Sequence, residues 1–208
     1  MTLITFGQVF TICLLGAMSP GPSMAVVVNN AIFSGRIHGI LTSIGHGLGI
    51  TVYAIFAVLG LGLMIKTNLI LFNVLKVLSI IFLIFIGLKA ILNEEKFNLE
   101  KNTIKRSMIS LLQGFSIAIL NPKIFVWFVA IYSQFISVNN QLMFNIYLVS
   151  IAGIIDSCWY MILTFIVTTA PAQYFFHIKI NIIKKIQGFF FLAIGLGLMI
   201  NLLMKNFF

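Results

Sequence analysis

The sequence predicts an all-α membrane protein: six transmembrane helices forming two inverted three-helix repeats, with helices 1 and 4 interrupted by proline motifs. Three observations carry that prediction: scarce charge, six apolar stretches of spanning length, and a correspondence between the halves. Of the 208 residues, 61% are hydrophobic and 8% charged, and the mean hydropathy is +1.12. A soluble domain carries about 25% charged residues, so this chain could not cover a globule with polar surface. No soluble domain fits beside the apolar stretches, and residues 1–208 read as one transmembrane domain.

The apolar stretches are residues 3–33, 39–65, 69–92, 108–138, 142–170 and 182–204. Each reaches the ~20 residues that a helix needs to cross ~30 Å of hydrocarbon. Lipid offers no partners to backbone N–H and C=O groups, so a crossing segment must satisfy them internally, as a helix does. A barrel would show alternating segments of ~10 residues, and the sequence has none. Repeat 1 covers about residues 1–92, a cytoplasmic loop 93–107, and repeat 2 about 108–208. No Lys or Arg precedes Arg36; a secretory signal needs a positive start, so the first stretch is expected to remain as a span.

Orientation follows from the connectors. One set holds Arg36; then Lys89, Lys96, Lys101, Lys105 and Arg106; then Lys179, Lys184 and Lys185. The opposite set, with the termini, holds only Lys66, Lys76 and Lys205. Positive charge is retained on the cytoplasmic side, which predicts that both termini face outward. The loop at 93–107 carries three of the four acidic residues and reads as a solvated connector. The net charge of +9 reads as topogenic charge facing anionic headgroups. Nucleic acid is not an expected partner, because no basic stripe with interleaved aromatics lies outside the spans. Cys13 and Cys158 lie in apolar runs without a CxxC partner and read as buried, inert thiols.

The halves correspond in order. "GAMSPG" in helix 1 falls opposite "SIAILNPK" in helix 4, matching Ser19-Pro20 to Asn121-Pro122. "HGLGITVY" falls near "AGIIDSCW", pairing Gly47 with Gly153 and Tyr53 with Trp159. "FLIFIGLKAI" matches "FFLAIGLGLM", pairing Gly87 with Gly195. Each half has an odd number of helices, so the second must enter the membrane from the opposite side. Inverted repeats are characteristic of secondary transporters, whose halves rock about a midplane site.

The proline motifs mark that site. Proline lacks an N–H, clashes with the carbonyl one turn back and pushes the preceding residue from helical angles. Ser19-Pro20-Gly21-Pro22 should free carbonyls near Ala17 and Met18, and Asn121-Pro122 should do so near Ala118. A single proline commonly makes only a kink, but two motifs matched between the halves point to functional breaks. Broken ends offer a half-helix N-terminus to a carboxylate and a C-terminal end to a cation; a zwitterion needs both.

Lys123 and Asp156 fall at mid-depth, where a charge costs about 2.5–3.5 kcal/mol on insertion scales and faces the bundle interior. They read either as an ion pair locking helices together or as working groups. In the second case Lys123 attracts a substrate carboxylate, and Asp156 attracts an ammonium group or carries a coupling proton. His46 reads either as a polar group bonded to a neighbour or as a titratable side chain lining a cavity and sharing in coupling. Gly45 and Gly49 have the spacing of a close helix contact. Asn29, Asn30 and Gln113, near helix ends, suit interface roles better than a water path, and Gln134, Tyr53 and Trp159 are candidate cavity residues.

On these residues the chain resembles the lysine exporter / homoserine–threonine exporter type of amino-acid efflux protein over its whole length. The carriers are "SPGP" at 19–22, "LNPKIFVWFVAIYSQFI" at 120–136, Asp156, and the paired "IGLKAI" and "IGLGLM". The resemblance implies a six-helix inner-membrane transporter that exports amino acids on an ion gradient. It implies that Pro20, Pro22, Asn121, Pro122, Lys123 and Asp156 match the family's midplane site; Ser19 and Gly21 complete the first motif. His46 departs from the small or polar residue often found at its position. Members differ in substrate, so the resemblance does not settle which amino acid moves.

The expected function is therefore secondary-active export of amino acids by alternating access, coupled to the proton gradient. The alternative is export of a metal cation on the same architecture, which would want clustered ligands; Asp156 and His46 are thin support. A thiol–disulfide relay would need cysteines able to meet beside the proline sites. No Walker motif, catalytic triad or metal-ligand spacing is present, so neither enzymatic chemistry nor a cofactor is expected. A homodimer is compatible with the sequence and no residue requires one.

Overall fold

The computed structural model describes residues 3–92, 107–137 and 141–207. The loop read at 93–107 therefore lies, but for its last residue, outside the described residues. Every regular element among the described residues is an α-helix. In chain order these are α1 (Leu3–Ala17), α2 (Pro22–Phe33), α3 (Arg36–Thr67), α4 (Leu69–Leu92), α5 (Ser107–Ile119), α6 (Pro122–Tyr132), α7 (Leu142–Val167) and α8 (Ala170–Phe207). Four spans are continuous: α3, α4, α7 and the stretch Lys185–Met204 of α8. The count reaches six when α1 with α2, bent by 65°, and α5 with α6, bent by 56°, are each taken as one broken span.

Both bends fall at the proline motifs. The first is wound down by Ser19 N–H to the Gly16 carbonyl (3.2 Å) and restarts with Pro22 at the first helical position. Proline suits that position because its missing N–H would be an orphan anyway. The second restarts in the same manner at Pro122. Here Asn121 Oδ1 accepts the Lys123 backbone N–H at 3.1 Å and caps α6, as Asn does well. The turn from α2 to α3 needs Gly35, whose φ of 100° a side chain would disfavour. Asn68 closes α3 and caps α4, its Oδ1 accepting Leu71 N–H at 2.9 Å.

Two boundaries differ from the sequence expectation. The stretch 108–138 stays helical only to Tyr132, because Ser133, Gln134 and Phe135 turn tightly, with Gln134 N–H on the Ile131 carbonyl and Phe135 N–H on the Tyr132 carbonyl. Apolar composition does not register such an exit. Conversely, residues 171–181, read as a connector, belong to α8, which begins at Ala170 with Pro171 in its first turn.

Glycines bring the helices into close contact. On α3, Gly45 and Gly49 both face α5, with Gly49 against Ala118, and Gly114 of α5 faces back at Thr42. Between α3 and α7 the contacts are reciprocal. A Cβ at Gly47 would meet Ser157 Oγ and lie 2.8 Å from the Gly153 carbonyl; one at Gly153 would meet Thr51 Oγ1 and lie 3.0 Å from the Gly47 carbonyl. Between α4 and α8, Ile84 meets Gly195, Gly87 meets Leu192 and Ile91 meets Gly188. The α4 numbers rise as the α8 numbers fall, so these helices run antiparallel. Inside, an apolar cluster built on Trp127, Phe128, Ile131, Tyr132, Leu148 and Phe191 joins α6, α7 and α8. Leu59, Leu63, Ile70 and Phe85 are exposed on the outer faces, where lipid would cover them.

Candidate functional site

The two breaks come together. Asn121 Nδ2 donates to Ser23 Oγ at 3.2 Å, linking the start of α6 to the start of α2. Lys123, on the first turn of α6, reaches across to the first break: its Nζ donates to Ser19 Oγ and, at 3.2 Å, to the Pro20 carbonyl. Gln187 of α8 completes the cluster. Its side-chain oxygen accepts from Lys123 Nζ at 2.7 Å and from Ser19 Oγ, while its nitrogen donates to the Pro20 carbonyl at 3.3 Å. Lys123 also lies 5.1 Å from the centre of the Phe191 ring, a cation–π distance. The Pro20 carbonyl, inside the break, is thus satisfied by side chains from elsewhere in the bundle.

Beside this cluster is a cavity of ≈ 60 Å³. Ser19, Gly21, Asn121 and Lys123 line one part of it, His46 and Asp156 another, and Ile50, Phe128 and Phe191 are among its apolar walls. The prolines act through the backbone: Pro22 and Pro122 start α2 and α6 at the meeting point. The N-terminus of α2 has no side-chain cap, and the positive end of its dipole there favours an anion.

Asp156 finds its partner on α3. His46 Nδ1 lies 2.6 Å from Asp156 Oδ2, with both side chains buried. The sequence left open an ion pair between Lys123 and Asp156; Asp156 pairs with His46, and Lys123 bonds Ser19, Pro20 and Gln187. Of the two roles open to His46, the structure combines a bonded neighbour with a place on the cavity wall. Tyr160, one turn beyond Asp156, stands edge-on to the His46 ring at 4.9 Å.

The remaining candidates fall elsewhere. Asn30 donates to Thr42 Oγ1 (2.8 Å) and Gln113 Oε1 (2.9 Å), an interface bond between α2, α3 and α5. Tyr53 OH donates to the Ile119 carbonyl at 2.5 Å, satisfying the last carbonyl of α5 at the second break. Gln134 bonds to its own turn through Ser133. Cys13 is buried as expected, but Cys158 is exposed on α7. Among the described residues no three His, Cys, Asp or Glu side chains converge.

Gln187, Ser23 and Tyr160 were not singled out by sequence. Gln187 stands near the start of the apolar run at 182–204. Because α8 begins at Ala170, that position is well inside the helix. The signal that could have found it was a lone amide two residues beyond the last lysine of a connector.

The family model for LysE type translocators matches residues 14–202. The chain is 28% identical over 189 residues to the uncharacterized membrane protein YrhP of Bacillus subtilis, covering 85% of this chain and 90% of that protein. It is 32% identical over 136 residues to the leucine efflux protein of Klebsiella pneumoniae, covering 64% of this chain and 61% of the other. To the leucine efflux protein of Salmonella typhimurium it is 26% identical over 122 residues, 58% of each. The match thus spans about three-fifths of the leucine efflux proteins' length. No solved structure matches the chain. With the family model covering nearly all of its length, the chain belongs to the LysE type translocator family.

Proposed function

We propose that this protein exports amino acids from the cytoplasm by alternating access of two inverted three-helix repeats in the cell membrane, coupled to the proton gradient. The observation that carries the reading is the junction of the two broken spans, where Lys123 reaches from α6 to Ser19 and the Pro20 carbonyl beside a cavity. A zwitterion fits that chemistry. Its carboxylate would take Lys123, Ser19 and the uncapped N-terminus of α2, with Gly21, Asn121 and the prolines Pro20, Pro22 and Pro122 shaping the cradle. Its ammonium would face the His46–Asp156 pair, which also holds the coupling proton. The apolar walls at Ile50, Phe128 and Phe191 suit an aliphatic side chain, in keeping with relatives named leucine efflux proteins.

The inverted repeat is supported by the reciprocal contacts at the helix seams. If Gly47 corresponds to Gly153, then Thr51 corresponds to Ser157, and the Gly47–Ser157 contact maps onto the Gly153–Thr51 contact. Under the pairing of Gly87 with Gly195, Gly87–Leu192 and Gly195–Ile84 are likewise partners. An interface in which i meets j and j meets i is what a two-fold relation produces. The excess of Lys and Arg on one set of connectors puts both termini outside.

Counterflow in proteoliposomes tests the function, with a panel of labelled amino acids at two pH values. Exchange of at least one amino acid, lost in Lys123→Ala, is the expected result. A panel that exchanges nothing overturns the reading.

A further inference from the structure

A neutral histidine has one N–H and one bare nitrogen, and what its first nitrogen bonds decides what the second can do. His46 Nδ1 is 2.6 Å from the carboxylate of Asp156. With Asp156 ionised its carboxylate accepts, so Nδ1 carries the hydrogen and Nε2 is left with a lone pair. Nε2 is buried and has no hydrogen-bond partner among the described residues, although the residue lines the cavity. An unmet polar atom in low dielectric is costly, and such atoms mark places where a ligand completes the bonding. Trp127 Nε1, a donor on the same wall, is also buried and unpartnered. The wall thus offers one unmet acceptor and one unmet donor.

We infer that the substrate ammonium and the coupling proton compete for His46 Nε2, so that each excludes the other and the competition itself couples export to proton entry. This rests on the amino-acid reading above and adds how the coupling is made. With Nε2 bare, a substrate N–H donates to it. With Nε2 protonated, the ring is a cation held by Asp156 and repels an ammonium group. Facing the cytoplasm, the substrate displaces the proton from Nε2 to water; facing outward, the substrate leaves and a proton from outside takes its place. One positive charge occupies the nitrogen in either state. The other titratable groups around the ring are Asp156 and Tyr160 on α7, with Cys13 of α1 and Lys123 of α6 on the same cavity wall. Neither α2 nor α5 carries any titratable side chain. The exclusion is reciprocal: a proton that weakens substrate binding must be expelled by substrate to the same extent.

The direct test needs no variant. Purified wild-type protein in weak buffer at about pH 6 is mixed with L-leucine, and released protons are read with an indicator dye. 4-Methylpentanoate, which keeps the carboxylate and side chain but lacks the amine, is the matched control. Any other amino acid that exchanges in counterflow is treated the same way against its deaminated analogue. Proton release on binding the amino acid, and none with the control, is expected. Binding without release, or equal release by both, overturns the inference. In counterflow, the wild-type apparent affinity should fall toward tenfold per pH unit on the acid side, the slope of one competing proton. His46→Gln, whose amide holds no exchangeable charge, should bind more weakly and with no pH slope; a tenfold slope retained in that variant overturns the inference as well. The two proposals fail differently. A wild-type chain that exchanges no amino acid ends both, whereas exchange without proton release ends only this one.

Discussion

The two breaks perform the same backbone operation and satisfy it in opposite ways. At the second, Asn121 caps the helix it begins, and Tyr53 of α3 takes the Ile119 carbonyl. At the first, Gly21 offers no side-chain cap, and the Pro20 carbonyl depends on a lysine and an amide, Lys123 and Gln187. A break whose new helix is capped by its own asparagine is scaffold. One closed by a lysine and an amide can release the lysine to a ligand carboxylate. The difference teaches where binding should be sensitive: contacts on the first break should govern transport, and contacts on the second should govern stability.

The largest effect should come from outside both breaks. Asp156→Asn removes the charge that orients His46, and is expected to abolish uphill export in proteoliposomes while the protein still reaches the membrane. Full uphill transport by that variant would separate coupling from this pair. Next is Lys123→Met, which takes a charged donor from the first break. Hydrogen bonds to charged groups are worth about 1.5–3 kcal/mol, so the apparent affinity in counterflow should drop by about 10- to 100-fold. Gln187→Leu removes an amide that positions Lys123 without meeting the ligand itself, so it should cost about 1 kcal/mol and weaken affinity by about fivefold; no change would confine the anion site to Lys123 and Ser19. On the second break, Asn121→Ala should lower stability by about 1 kcal/mol, the usual value of a lost cap, read as a fall in the thermal midpoint of the detergent-solubilised protein. Tyr53→Phe should cost about 1 kcal/mol or less with transport close to wild type. If Tyr53→Phe harms transport more than Gln187→Leu, the contrast between the breaks is wrong.

Much of the site was legible because proline, buried charge and glycine have consequences that do not depend on the partner. Pro20, Pro22 and Pro122 had to interrupt helices wherever those helices packed, and Lys123 and Asp156 had to face protein. The partners were not legible. Whether Asp156 met Lys123 or His46 depends on the register of α3 against α7, which is set where Gly47 and Gly153 allow the backbones to touch. Gln187 was hidden for a related reason: apolar content marks the part of a helix in lipid, not where the helix begins, so the start of α8 at Ala170 could not be seen.

By itself the sequence determined that the chain spans a membrane, that its backbone is helical, and that two of its crossings are broken near their middles. Those outcomes follow from solvation and from the covalent shape of proline, which act locally. Tertiary structure alone decided that the breaks meet, that a lysine from one closes the other, and that His46 bonds Asp156 while its second nitrogen has no partner among the described residues. Such pairings depend on which helix faces lie together to within an ångström or two, and a pattern of apolar residues fixes no distance between helices.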